Sequence, residues 1–79
     1  EVYPNPATEK ATVKFTAASA AQYRLNMTDV LGRNVLSTDG TATEGINMVD
    51  LDFSSFAKGV YLLTIMSGDN NEQIRVVVE

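Results

Sequence analysis

The stretch QYRLNMT, Gln22 to Thr28, alternates without a slip: Tyr23, Leu25 and Met27 against Gln22, Arg24, Asn26 and Thr28. A period of two is the mark of a strand with one buried face, whereas a helix would place apolar residues three and four apart. The period recurs in KATVKF, where Val13 and Phe15 oppose Thr12 and Lys14. VYLLTIM, Val60 to Met66, is the longest apolar run and reads as a central strand. NVLST, INMVDL and the closing QIRVVV supply three more strands. The inward face of INMVDL stays open, because both of its parities carry apolar residues.

Turn chemistry separates these runs. VYPNP opens the chain with two fixed φ angles and no amide hydrogen at Pro4 or Pro6, and Tyr3 and Asn5 are pushed away from helical angles. It reads as a rigid, extended entry along a sheet edge. In DVLGR, Asp29 caps its own turn and Gly32 takes a positive φ, which makes a hairpin loop. DGTATEG and SGDNNE read as polar loop and turn, DFSSFAKG as an irregular crossing, and AASAA has room for one helical turn at most. About seven short strands with frequent turns predict an all-β, Ig-like antiparallel sandwich. The expected core is Val13, Phe15, Tyr23, Leu25, Met27, Tyr61, Leu63 and Ile65. Gly59, which launches the central strand, is expected at positive φ or against a neighbouring backbone.

The chain has 79 residues, so residues 1–79 form one small domain with one modest core. The net charge of -4 argues against nucleic acid or an anionic membrane as partner. With no His and no Cys, nucleophile–His pairs, disulfides and structural zinc are excluded. The carboxylates lie mostly in turns and no pocket is foreseen to separate their pKa values, so neither an enzyme nor a small-molecule substrate nor a cofactor is expected. Asp50 and Asp52 form a D-x-D and Gly68 to Glu72 cluster oxygen donors, but no complete calcium loop is written and a hairpin turn uses the same residues. The aromatics are Tyr3, Phe15, Tyr23, Phe53, Phe56 and Tyr61, and since Phe15, Tyr23 and Tyr61 fall on strand faces that look buried, a core suits them better than a glycan platform. The start at Glu1 suggests a piece of a longer protein, with any export signal upstream.

Taken in order, YPNP at the entry, DVLGR near the middle, FAKGVYLLTI later and QIRVVV at the end resemble the C-terminal sorting domain of the bacterial type IX secretion system. The resemblance covers essentially the whole chain. It rests on Tyr3, Pro4, Asn5 and Pro6, on Asp29 and Gly32, and on Phe56, Gly59 and Tyr61. Two departures are Phe56, where the family more often has Leu, and a single base, Arg75, in a last strand where Lys is frequent.

The resemblance implies an address rather than a catalyst. Such domains end cargo proteins that reach the periplasm, direct them to an outer-membrane translocon, and are commonly removed by a sortase-like protease. The cargo then reaches the cell surface or the extracellular space. The implied partners are the translocon, that protease and the cargo domain in the same chain. The candidate recognition strand is Ile74, Arg75, Val76, Val77 and Val78, with Ile74, Val76 and Val78 inward and Arg75 outward. Val60, Leu62 and Met66 share the other parity of the central strand from Tyr61, Leu63 and Ile65. The expectation is that loops such as DFSSF cover both parities. A carbohydrate- or protein-binding adhesion module is the alternative function.

Overall fold

A computed structural model describes residues 1–79, and every regular element in it is a strand. In chain order these are β1 (Val2–Tyr3), β2 (Lys10–Ala17), β3 (Ala21–Thr28), β4 (Asn34–Ala42), β5 (Gly45–Asp52), β6 (Gly59–Ser67) and β7 (Asn70–Val78). They form a three-stranded sheet, β1-β2-β5, and a four-stranded sheet, β4-β3-β6-β7, with all strand pairs antiparallel. Hairpins join β3 to β4 and β6 to β7 within one sheet, while the β2–β3, β4–β5 and β5–β6 links cross between sheets. The all-β sandwich expected from the alternation is what the chain forms, and AASAA contributes bends rather than a helical turn.

The core lies between the sheets. Val13, Phe15, Leu25, Met27, Tyr61, Leu63 and Ile65 are buried as expected, and Tyr23 is half-buried against them. Phe15 meets the Tyr23 ring edge-on at 5.5 Å, a favoured aromatic geometry. Register explains this alignment: Leu25 stands opposite Ile65 and Met27 opposite Leu63, so the inward faces of β3 and β6 match residue for residue. β7 adds Val76 and Val78 to the core, Ile74 is half-buried against it, and Arg75 points outward, all as the alternation requires.

Several boundaries differ from expectation. DGTATEG is mostly strand: Asp39 to Ala42 belong to β4, and only Thr43 and Glu44 link it to β5. The Asn47 amide holds this crossing, donating to the Thr43 carbonyl at 2.9 Å and accepting from the Thr43 N–H at 3.0 Å. SGDNNE shrinks to a two-residue turn, Gly68 and Asp69, because Ser67 already pairs with Asn70. The expected oxygen cluster is therefore drawn out along a strand. In β5, Asn47, Val49 and Leu51 turn inward and Ile46 and Met48 outward. Gly59 has φ +157°, positive but close to extended, and nothing lies within 4 Å of where its Cβ would stand. Of the two expected alternatives, the positive φ is met and the close approach to a neighbouring backbone is not.

Candidate recognition surface

The entry segment closes an edge. β7 pairs with β6 on one side only, and a bare strand edge invites unwanted pairing. Asn5 covers part of it by imitating a peptide group. Its side-chain N–H donates to the Arg75 carbonyl at 2.9 Å, and its side-chain oxygen accepts from the Val77 N–H at 3.0 Å. Ala7 continues the cover with backbone bonds: its N–H donates to the Val77 carbonyl at 2.8 Å, and its carbonyl accepts from the Glu79 N–H at 2.7 Å. Pro4 and Pro6 flank Asn5 with no N–H of their own, which leaves the asparagine amide as the group that binds. Tyr3 is exposed and its hydroxyl lies 3.8 Å from the sulfur of Met48 on β5, two strands away in the same sheet.

The DVLGR turn is built around one carboxylate. Asp29 Oδ1 accepts from the Leu31 and Arg33 N–H groups at 3.0 Å each, and Oδ2 from Arg33 Nε at 2.8 Å. Gly32 lies at φ +82°, in the left-handed region that disfavours other residues. The Arg33 backbone N–H does most to hold the Asp29 carboxyl below the ordinary aspartate value. The Arg33 guanidinium and the Leu31 N–H add to this, and partial desolvation opposes it. A turn fixed from inside holds its outer residues out: Val30 is 79% and Leu31 75% exposed.

The FAKGVY stretch forms the other support. Phe56 is half-buried between Phe53, at 5.7 Å, and Tyr61, also at 5.7 Å. The Tyr61 hydroxyl donates to the Ala57 carbonyl at 2.6 Å. Phe53 is fully buried and was not foreseen, because it sits in a crossing with no period to betray it. These contacts seal the end of the core beneath β6 and leave its outer parity uncovered. Val60 is 43% and Leu62 38% exposed, which corrects the expectation that loops cover both parities. DFSSF turns inward instead.

Register gathers the result. Val60 pairs with Val77 and Leu62 with Arg75, so the outer face of β6 and β7 carries three apolar side chains around one arginine. Val30 joins them, and a shallow cavity of about 220 Å³ opens between Asp29, Val30, Val60, Tyr61, Leu62 and Arg75. Arg75 takes no part in either ion pair of the molecule, Arg24–Asp39 and Arg33–Asp29. Farther along the face Thr64 pairs with Gln73 and Asn26 with Thr64, so the surface turns polar. The sequence motifs thus fall into two groups. Asp29, Tyr61 and Arg75 line the cavity, Gly32 shapes the turn of Asp29, Phe56 packs behind on the Tyr61 ring, and Gly59 starts the strand that carries the patch. Asn5, between Pro4 and Pro6, lies on the β7 edge, while Tyr3 pairs with Thr12 in the other sheet. Ile74, Val76 and Val78 face the core and are unavailable to a partner, while Val77 reaches the surface in part.

Nothing matches in a search of curated proteins. Among solved structures, dimeric latent PorU from Porphyromonas gingivalis superposes with a TM-score of 0.77 at 20% identity. The match covers 99% of this chain and 9% of that one, so the chain spans a small fraction of that protein's length and shares its fold there. The profile of the secretion system C-terminal sorting domain matches residues 1–79. On that match, which leaves no residue out, the chain belongs to the secretion system C-terminal sorting domain family.

Proposed function

We propose that residues 1–79 address a cargo protein to the type IX outer-membrane translocon, and that the outer face of β6 and β7 is what the translocon reads. The cargo would be delivered through the periplasm to the cell surface or beyond, and a sortase-like protease would part it from the domain. The observation that carries the reading is the family match over the whole chain, joined to a face suited to a protein partner. Val30, Val60, Leu62 and Val77 are apolar and at least partly exposed around the unpaired Arg75. Apolar patches with a central Arg are favoured contact points between proteins. The aromatic residues support no glycan platform, since Tyr3 is the one aromatic among the exposed large apolar side chains.

The test is to append residues 1–79 to a periplasmic reporter in a bacterium with a working type IX system. Reporter outside the cell is the expected result. Retention in the periplasm, with the attached domain folded, would overturn the reading.

A further inference from the structure

We propose that the open groove between β2 and the first half of β7 is the seat of the three residues immediately N-terminal to Glu1, which extend β1 along β2. The groove has a volume of about 460 Å³ and is lined by, among others, Glu1, Phe15, Thr16, Ile65, Ser67 and Asn71. It exists because the two edges that meet there are unequally covered. β1 is only two residues long, so beyond Lys14 the edge of β2 has no neighbour strand. On the facing side, Asn5 and Ala7 close β7 from Arg75 onward and leave Asn70 to Gln73 open.

The ladder is still running at the first residue. The Glu1 nitrogen donates to the Lys14 carbonyl at 2.9 Å, and the Lys14 N–H donates to the Glu1 carbonyl at 2.7 Å. This reciprocal pair is the antiparallel hydrogen-bonded pattern, which recurs every second residue. The next such pair falls between Thr16 and the second residue before Glu1. Thr16 aims its N–H and C=O to the same side as Lys14, toward the groove. Three more residues, at ~3.3 Å each, run past Phe15, Thr16 and Ala17 to the end of β2. Val2 faces inward, so the residue immediately before Glu1 also faces inward, toward Phe15 and Ile65, and is expected to be apolar.

The occupant is this chain's own upstream segment because the ladder points it there with no turn to make. The sorting-domain reading enters only in that a C-terminal domain follows other residues. One consequence concerns processing: a cut that parts cargo from domain falls N-terminal of this three-residue extension, since a hydrogen-bonded strand is withheld from a protease cleft.

Hydrogen exchange on the full-length protein tests this separately from secretion. The Thr16 amide is expected to exchange at least about tenfold slower than an unprotected amide. Proline in place of the second residue before Glu1 removes the N–H that the Thr16 carbonyl would accept and so loosens the pair, and Thr16 protection should fall while that of Leu63 in β6 holds. Free exchange at Thr16 in the unaltered protein would overturn the proposal. So would protection lost on dilution, which would mark a second copy as the occupant. If Thr16 stays protected, its N–H still donating to the proline carbonyl, or if the proline lowers Leu63 protection as well, the test passes to a cysteine pair, Thr16→Cys with cysteine at that same upstream position. Such hydrogen-bonded pairs lie within disulfide reach, and failure to oxidise would overturn the proposal.

Discussion

Asn5 and Asp29 each turn a short side chain into a substitute for backbone, and each does so at a place where the sheet would otherwise be unfinished. Asn5 supplies one donor and one acceptor to β7. Asn5→Ala should destabilise the domain by about 1 to 3 kcal/mol, the worth of two hydrogen bonds to exposed but ordered backbone; urea unfolding measures it, and an unchanged midpoint would argue that the cover is idle. Asp29 gives a pH signature. Its folded-state pKa lies below the unfolded value, so the charged form stabilises the fold fully above the unfolded value, and that stability is lost as pH falls through the folded one. Asp52, held down chiefly by the Ser54 N–H, acts in the same sense. Stability should therefore decline below about pH 4, and Asp29→Asn should make that decline shallower while lowering the melting temperature at pH 7. Gly32→Ala, at φ +82°, should cost about 1 to 2 kcal/mol. Of these residues, Asp29 and Gly32 were legible in their turn roles from the sequence, because turn chemistry is local. The reach of Asn5 to a strand 70 residues away was not.

At the scale of the strand, alternation told inside from outside wherever one parity was polar. Leu25, Met27 and Val76 follow from it, and each is fully buried. It failed in two physical situations. Where both parities are apolar, as in β6, the period is silent about which side a second sheet will cover, and Val60 and Leu62 were assigned wrongly. Where a strand is an edge, its residues are polar enough to pass for loop, as Asp39 to Thr41 in β4 and Asn70 to Glu72 in β7 did. The two faces of β7 make a clean comparison. Val76→Ala removes buried methyl groups and should cost about 1 to 3 kcal/mol. Arg75→Glu changes an exposed side chain in no ion pair and should move stability by less than about 1 kcal/mol. Thermal unfolding of both variants checks the contrast, and similar losses would mean that the outer face is structurally committed.

For the molecule as a whole, the sandwich exposes two apolar patches on opposite sheets. One is Val30, Val60, Leu62 and Val77 around Arg75, and the other is Ile46 and Met48, 60% and 62% exposed on β5. General stickiness would treat them alike, whereas an address read at the β6–β7 face would not. The decisive measurement is therefore export of a reporter carrying residues 1–79 with Val60→Thr and Leu62→Thr, set beside the same reporter with Ile46→Thr and Met48→Thr. Threonine has the β-branched shape that strands favour, so both variants should fold, with melting temperatures close together. The account expects the first pair to cut export sharply and the second to leave it near the unaltered level. Equal export from the two, with both domains folded, would contradict it.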